Sequence, residues 1–280
     1  MTYLLPTSVE SALETLAGGD STIIAGATDY YPALVGRAAS GDIVDITRLD
    51  GLREISHHDG HWRIGALTTW TDVIEADLPA GFAGLKAAAA EVGGVQIQNV
   101  ASVVGNLCNA SPAADGVPPL LTLDAEVELR SVAGSRVVPI EEFILGNRST
   151  ACRPDELVTA VLVADPPEAA VGSFEKLGAR AYLVISIVMV AALAEIDADG
   201  TIRSARVAVG ACSPVARRLA DLEHDLVGAS IHDPLEDSVR AAHLAPLSPI
   251  DDVRATASYR LAVTPTLIGR ALRACAEAER

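Results

Sequence analysis

The sequence predicts an α+β protein with two domains, on the basis of three observations. The chain has 280 residues, of which 50% are hydrophobic and 21% charged, so it can bury one large or two medium cores. Short β-branched segments and segments with helical spacing follow one another without a repeat or a low-complexity stretch. The tetrapeptide Asp165-Pro-Pro-Glu suits neither a helix interior nor a central strand. We therefore expect domains at residues 1–168 and 169–280.

The N-terminal segment predicts one helix and two short strands. Ser8 can cap a helix over residues 9–17, in which the apolar residues fall on one face and Gly18 follows the end. The β-branched stretch at residues 21–26 suits a strand that enters a glycine loop. A second short strand is expected at residues 42–47.

The next segment predicts a hairpin, two helices and a long loop. Asp59-Gly60 is a common turn pair between two strand-like stretches, and the helix after them is expected to be capped near Thr71. A helix of small residues begins at Gly84 and breaks at Gly93-Gly94. From there to Pro119 we expect a loop.

The remaining segments predict strands first and helices last. Two strands are expected to turn at Ala133-Gly134, and ELVTAVLV is a further strand before the domain boundary. Beyond the boundary, two long strands are expected to pair around Asp199-Gly200. Helical spacing then characterises residues 214–228 and 260–280.

The charge balance argues against nucleic acids and membranes as partners. The formal net charge is −16, so Lys and Arg cannot form the broad positive field that a phosphate backbone or an anionic lipid surface attracts. The first residues lack the basic region of a signal peptide, which predicts a cytoplasmic protein. The longest apolar run, residues 181–194, is shorter than the roughly 20 residues of a spanning helix and is expected to be a buried strand.

The cysteines and histidines do not predict a metal centre on this chain. The cysteines are far apart and form no CxxC pair, so we expect buried reduced thiols rather than metal ligands. These are Cys108, Cys152, Cys212 and Cys275. His57, His58 and His61 surround the predicted hairpin turn, where a solvated surface turn is the expected structure.

Two segments are rich in small residues and leave their backbone accessible. They are IIAGATDYYP at residues 23–32 and NVASVVGNLCNASPAAD at residues 99–115. Exposed N–H groups in concave turns bind anions, so two facing segments of this kind could hold a pyrophosphate. Gly26 and Gly105 would permit a close approach. The side chains that would add hydrogen bonds are Thr28, Ser102 and Asn106.

Composition alone also fits a simpler alternative, in which each segment is an ordinary connection between a strand and a helix. The common phosphate motifs do not decide between the two, because the sequence contains neither GxGxxG after a strand nor the P-loop pattern GxxxxGKS/T. A dinucleotide bound here would require a fold other than the Rossmann or P-loop fold.

Six motifs, in order along the chain, resemble the flavoprotein subunits of the molybdenum hydroxylases, the family of the xanthine dehydrogenase and carbon monoxide dehydrogenase medium subunits. AGATDYYPAL is similar to the first FAD loop of that family, usually AGGTDL. SVVGNLCNASPAADGVPPLLTLDAEVEL is similar to the second, usually TxGGN followed by ASPxxDxxPxLLALDA. The other four are EEFILGNRSTACRPDELVTAV, FEKLGARAYLVISIVMVA, VAVGACSPVARRL and DDVRATASYR. The resemblance extends from about Thr2 to the C-terminus.

This resemblance implies an FAD-binding region of the vanillyl-alcohol-oxidase and cell-wall-reductase (PCMH) type, followed by a smaller α+β C-terminal domain. The polar bend at residues 106–115 would wrap the FAD, and the apolar run after it would be a strand of the sheet beneath. Asp115 matches an Asp that hydrogen-bonds the cofactor, and Lys176 matches a Lys near the isoalloxazine, where a cation could stabilise the anionic reduced flavin. Carried over by position, the FAD-binding residues are Ala25, Gly26, Ala27, Thr28, Asp29, Ser102, Val103, Val104, Gly105, Asn106, Asp115, Val158 and Lys176.

Three positions depart from the family pattern. Ala27 replaces the second Gly of AGGTD, and Val104 replaces the first Gly of GGN. A side chain at Val104 is expected to narrow the approach to the flavin or to change the angle of the loop. Val184 stands where the family frequently has an acidic residue, so the role of that turn is open.

The resemblance implies that the protein is an oxidoreductase subunit that carries FAD in a multi-subunit molybdenum hydroxylase. A large subunit would hold molybdopterin and a small subunit the 2Fe–2S clusters, in a heterotrimer or a dimer of heterotrimers. Electrons would pass through the clusters to FAD and on to NAD, oxygen or a quinone, and no catalytic residue of this chain need touch the organic substrate. Two alternatives stay open: a self-contained FAD-dependent reductase or oxidase of the same fold, and a non-catalytic flavin- or nucleotide-binding module.

Overall fold

The computed structural model describes residues 2–19, 21–36, 38 and 40–277. The first elements are β1 (Tyr3–Leu4), α1 (Val9–Leu16), β2 (Ser21–Ile24), α2 (Tyr30–Ala33) and β3 (Asp42–Asp45). The strands pair in parallel in the order β1-β3-β2. The Ser11 N–H donates to Ser8 Oγ at 3.1 Å, which caps α1, and the apolar face of the helix is buried as its spacing predicted.

An antiparallel sheet of five strands follows, interrupted by a group of short helices. Its strands are β4 (Ile55–His58), β5 (His61–Gly65), β6 (Glu126–Ser131), β7 (Gly134–Pro139) and β10 (Leu157–Ala164), in the order β4-β5-β10-β6-β7. Between β7 and β10 lie α8 (Ile140–Phe143) and the paired strands β8 (Ile144–Gly146) and β9 (Ser149–Thr150). Both predicted hairpins are confirmed, and the strand over ELVTAVLV is central in the sheet.

The segment between β5 and β6 is helical, and the prediction of a long loop up to Pro119 is wrong. It contains α3 (Trp70–Glu75), α4 (Ala83–Glu91), α5 (Val95–Gln98), α6 (Val103–Asn109) and α7 (Val117–Thr122). Thr69, rather than Thr71, caps α3, in a reciprocal capping box with Asp72. Pro118 and Pro119 lie in the first turn of α7, where a missing N–H leaves no helical hydrogen bond unmade.

The last part of the chain is an antiparallel sheet covered by helices. Its elements are β11 (Ala170–Leu177), β12 (Val188–Ile196), β13 (Ile202–Gly210), β14 (Arg217–Arg218), α9 (Ala220–Leu226), α10 (Leu235–Ser238) and α11 (Ala257–Glu277). The paired long strands around Asp199-Gly200 are confirmed as β12 and β13. The helix expected over residues 214–228 begins only at Ala220, because Arg217 and Arg218 pair with β13 instead.

The buried apolar residues form two clusters. The first belongs mainly to residues before Val171, and the second begins at Val171 and includes β12, β13 and α11. Leu193, Ala208 and Val215 from the last part join the first cluster, so the two parts are packed together. The division at residues 168 and 169 stays a prediction. Within the described ranges, no helix is long and apolar enough to cross a bilayer.

Candidate functional site

A cleft of about 880 Å³ lies where the two small-residue segments meet. Its walls are the turn after β2, the first turns of α6, the strand β10 with the β8–β9 hairpin, and residues 183–185 from the last part of the chain. The volume is within the range of sites for small molecules and cofactors, roughly 300–1,000 Å³. Both small-residue segments therefore line one cavity.

The turn after β2 presents backbone donors to the cleft. Residues 26–29 line the cleft, and none of their N–H groups donates a hydrogen bond to another group in the described part of the chain. Ala27 has a φ of 52°, in the left-handed region that favours glycine. Gly26 packs so closely on the Val100 backbone that a Cβ would overlap the Val100 carbonyl oxygen. Position 26 therefore has no room for a side chain beside the Val100 backbone.

The second segment is the start of helix α6 rather than an open loop. Ser102 caps the helix by accepting a hydrogen bond from the Gly105 N–H at 3.0 Å, and the Asn106 N–H donates to Ser102 O. The Val103 N–H donates to Thr68 O. The first-turn amides are therefore largely engaged within the protein. Backbone N–H groups without a partner are therefore found in the first segment, whereas those of the second segment mostly donate hydrogen bonds within the protein.

Val103 and Val104 are part of the hydrophobic core. Val103 is completely buried and does not line the cleft, and its contact with FAD stays a prediction. Val104 lines the cleft but is only 5% exposed and packs in the first apolar cluster. Val104 thus belongs both to the apolar cluster and to the cleft wall, and the narrowing of the flavin approach stays a prediction.

Asp115 lies in the cleft wall with a set of buried partners. Lys176 Nζ donates to Asp115 Oδ2 at 2.7 Å, and Ser186 Oγ donates to Asp115 Oδ1 at 2.6 Å. The side chains of Lys176 and Asp115 are 6% and 10% exposed. Burial raises the pKa of Asp115, and Lys176 and Ser186 act in the opposite direction.

Lys176 itself does not line the cleft. Its ammonium donates to Asp115 Oδ2 and also to Glu91 O at 3.1 Å, so Asp115 lies between Lys176 and the cavity. The structure thus places eleven of the thirteen predicted site residues in the cleft wall and leaves Val103 and Lys176 behind it. The eleven are Ala25, Gly26, Ala27, Thr28, Asp29, Ser102, Val104, Gly105, Asn106, Asp115 and Val158.

Several cleft residues were not predicted. Arg148, in the β8–β9 turn, is exposed to the cleft, and its guanidinium forms no ion pair or hydrogen bond with the described residues. Leu183, Val184 and Ile185 close the cavity from the other part of the chain. Arg148 lies inside the motif EEFILGNRSTACRPDELVTAV, one of the six that resemble the family, and that position was a usable indication. The contribution of residues 183–185 depends on long-range packing that has no local signal.

The cysteines are only partly as expected. Cys212 and Cys275 are buried, whereas Cys108 and Cys152 line the cleft. Cys108 is exposed as a residue although desolvation of its thiol raises the pKa to about 12, and burial raises the pKa of Cys152 to about 11.

His57, His58 and His61 lie at the hairpin turn, where His57 pairs with Asp165 at 2.8 Å. No group of three or more metal-ligating side chains occurs among the described residues.

These features define an α+β protein with a cofactor-sized cleft between a donor-rich turn and a capped helix. Residues 1–166 match the FAD binding domain in molybdopterin dehydrogenase, and residues 173–275 match the CO dehydrogenase flavoprotein C-terminal domain. The chain therefore belongs to the family of FAD-binding subunits of the molybdenum hydroxylases, and its fold is the FAD-binding domain plus C-terminal domain of that family.

Similar proteins match over most of their length. The 6-hydroxypseudooxynicotine dehydrogenase complex subunit alpha of Paenarthrobacter nicotinovorans is 32% identical, over 96% of this chain and 92% of that protein. The xanthine dehydrogenase FAD-binding subunit of Escherichia coli O157:H7 is 34% identical, over 80% of this chain and 78% of that protein. A solved chain of carbon monoxide dehydrogenase from Hydrogenophaga pseudoflava has a TM-score of 0.89 at 26% identity, covering 98% of this chain and 96% of that one.

The cleft residues fit the FAD that this family binds. Asn106 Oδ1 is buried without a hydrogen-bond partner, which is costly for an acceptor unless a bound molecule supplies a donor. The unengaged N–H groups of residues 26–29 and the Arg148 guanidinium supply the donors that a pyrophosphate accepts. The cavity thus offers donors suited to phosphates, and its wall contains an unpaired acceptor suited to a hydroxyl or ring N–H group.

Proposed function

We propose that this chain is the FAD-carrying electron-transfer subunit of a multi-subunit molybdenum hydroxylase, which passes electrons from iron–sulfur clusters on a partner chain to an external acceptor. The observation that carries the proposal is the cleft of a member of the FAD-subunit family. It is lined by residues 26–29, whose N–H groups have no partner among the described residues, and by Asn106, whose Oδ1 is an unpaired acceptor. When bound, FAD exchanges electrons both in pairs and singly, which suits a junction between one-electron clusters and a two-electron acceptor.

The residues of this chain have distinct parts in such a site. The turn at residues 26–29 binds phosphate oxygens through its backbone, and Arg148 adds a positive charge at the same cavity. Asn106 accepts a hydrogen bond from the cofactor. Asp115, held by Lys176 and Ser186, presents a fixed carboxyl group to the cleft. The apolar residues 183–185 reduce the access of water to this wall.

The partner chains are proposed from the relatives. Their names describe a subunit of a dehydrogenase complex, an FAD-binding subunit and medium chains, which places each of them in an assembly. By this similarity, a large subunit carries molybdopterin, a small subunit carries the 2Fe–2S clusters, and the acceptor is NAD, oxygen or a quinone. The cytoplasmic location stays a prediction, to be checked by cell fractionation.

The experiment that tests the function has two stages. The purified full-length chain is first titrated with FAD, and binding is followed by the quenching of flavin fluorescence. It is then mixed anaerobically with purified candidate large and small subunits, and flavin absorbance is followed after a candidate heterocycle or aldehyde is added. We expect the absorbance to bleach only in the complete mixture. Rapid bleaching with the single chain would replace the proposal with a self-contained flavoenzyme.

A further inference from the structure

One wall of the cleft is a segment that has little structure of its own. Residues 178–187 connect β11 to β12 without a helix or strand, and within them Leu183, Val184 and Ile185 line the cleft. Tyr182, Leu183 and Ile185 are 79%, 59% and 62% exposed. Such exposed apolar residues contribute few packing contacts that could fix the segment. Inside the segment, Arg180 Nε donates to Leu183 O at 3.1 Å, which shapes the turn without tying it to another element. The position of the segment on the cleft therefore depends on how its ends are held.

Two arginines hold the end of the segment. Arg254 Nη1 donates to the carbonyl oxygen of Ser186 at 3.3 Å. Arg260 Nη1 donates to the next carbonyl, that of Ile187, and to Ala211 O at 3.1 Å. Two guanidinium groups thus bind two consecutive peptide carbonyls, and Arg260 is only 1% exposed. Because a guanidinium is planar and rigid, these contacts fix the direction of the backbone as well as its location.

Asp252 joins the two arginines. Its Oδ1 accepts hydrogen bonds from Arg260 Nη2 at 2.8 Å and from the Arg254 N–H at 2.8 Å, and its Oδ2 accepts from Arg254 Nε at 3.0 Å. The Arg254 side chain is the main cause that holds the pKa of Asp252 well below its usual range. The carboxylate is therefore ionised at neutral pH, and the cluster Asp252, Arg254 and Arg260 is a charged unit at the start of α11.

Ser186 connects this cluster to the cleft. Its carbonyl oxygen accepts from Arg254, while its hydroxyl donates to Asp115 in the cleft wall. The residue is fully buried, so its two contacts are not exchanged with bulk water. A single residue, Ser186, therefore links the arginines of the C-terminal part to the carboxyl group that faces the cavity.

We propose that Arg254 and Arg260, joined by Asp252, are positioning residues of the cofactor site. They fix the backbone at Ser186 and Ile187, which keeps Ser186 hydrogen-bonded to Asp115 and keeps residues 183–185 against the cleft. This inference rests on the proposed function, in which the cleft binds FAD. It assigns to the motif DDVRATASYR a role at a cavity that none of its own side chains lines.

The test compares two arginine variants of the full-length chain. Arg254→Gln removes the contact with Ser186, and Arg273→Gln is the matched control, because the Arg273 side chain is 36% exposed, against 32% for Arg254, and pairs with Glu236 at 3.0 Å away from the cleft. A charged hydrogen bond corresponds to roughly a tenfold or larger change in affinity. We expect Arg254→Gln to raise the FAD dissociation constant by roughly tenfold, and Arg273→Gln to leave it within roughly twofold.

Two further readouts separate positioning from general destabilisation. In a double-mutant cycle, adding Ser186→Ala to Arg254→Gln should cost much less affinity than Ser186→Ala costs alone, since both act through the same link. Without FAD, trypsin should cleave after the exposed Arg180 faster in Arg254→Gln than in Arg273→Gln, because the segment is released.

The failure of this inference differs from the failure of the proposed function. If the unmodified chain binds FAD and Arg254→Gln binds it as tightly as Arg273→Gln does, the positioning role is wrong and the FAD site stands. If the unmodified chain binds no FAD, the proposed function fails and the role of the arginines at an FAD site fails with it. Equal tryptic cleavage of the two variants would also overturn the claim that Arg254 holds the segment.

Discussion

Replacing Ala27 with glycine should stabilise the protein. Ala27 has a φ of 52°, and a residue with a Cβ pays about 1–2 kcal/mol for the left-handed conformation. Glycine removes this cost but increases the entropy of the unfolded chain, which offsets about 0.5–1 kcal/mol. The methyl group of Ala27 is only partly buried, so little packing is lost. We expect a net gain of about 0.5–1 kcal/mol in the free energy of unfolding.

The assay is thermal and urea unfolding of the FAD-free chain. A gain of this size corresponds to a rise in melting temperature of about 1–4 °C for a chain of this length, with an unchanged urea m value. Ala25→Gly is the matched control in the same turn, because Ala25 does not have a positive φ and packs against the core. It should lose at least about 0.5 kcal/mol. If Ala27→Gly destabilises the chain as much as Ala25→Gly does, the left-handed strain is not the reason that this position favours glycine.

Three further variants test the cleft. Gly26→Ala should lower the free energy of unfolding by more than about 1 kcal/mol, because its Cβ would overlap a backbone carbonyl. Gly146→Ala is the control, since its Cβ would meet only a side-chain atom at 4.0 Å. Equal melting temperatures of the two variants would contradict this. Lys176→Met should lower the free energy of unfolding by about 3–5 kcal/mol near pH 8, because the buried carboxylate of Asp115 loses its cation, and by less near pH 5. A decrease that urea titrations show to be independent of pH would argue against the ion pair. Asn106→Ala should keep the stability of the FAD-free chain and weaken FAD binding roughly tenfold, measured by calorimetry; unchanged affinity would remove the orphaned acceptor from the site.

The pH dependence of the Lys176 variant follows from the sign of the Asp115 shift. Burial raises the pKa of Asp115 in the folded chain, and Lys176 counteracts the rise. Without Lys176 the folded pKa is higher still, so Asp115 holds its proton to a higher pH. A raised folded pKa gives stability that is complete below the unfolded pKa and is lost as the pH increases through the folded pKa. The difference in the free energy of unfolding between the variant and the unmodified chain therefore grows with pH over one interval. That interval runs from the folded pKa of Asp115 in the unmodified chain to its higher folded pKa in the variant.

Local signals predicted much of the fold. The cap at Ser8, the turn at Asp59-Gly60 and the strand over ELVTAVLV each depend on neighbouring residues, and each is confirmed. The helices α5 and α6 were missed because they are short and made of residues that also suit loops. Their stability comes from packing and from the Ser102 cap, since isolated helices of this length are unstable in water.

The candidate site was predictable where one segment of chain defines it. The resemblance of AGATDYYPAL identified a turn that does line the cleft, with Ala27 in the conformation that explains a glycine in related sequences. The resemblance placed Lys176 near the flavin, but no sequence pattern shows that Asp115 stands between Lys176 and the cavity. The wall at residues 183–185 likewise belongs to a segment whose end accepts hydrogen bonds from Arg254 and Arg260, more than sixty residues later in the chain.

The negative charge of the chain and the anionic cofactor of its family are compatible because the binding energy is local. A net charge of −16 disfavours the distant approach of a pyrophosphate, but charges beyond about 8–10 Å are screened at physiological ionic strength. Inside the cleft the donors are the neutral N–H groups of residues 26–29, which keep their strength as solvent is excluded, together with Arg148. Asp115 would repel an anion if it were unpaired, and Lys176 supplies the compensating charge from behind the wall. The Lys176–Asp115 pair therefore offsets part of the electrostatic cost of a carboxyl group in the wall of the proposed anion-binding cavity.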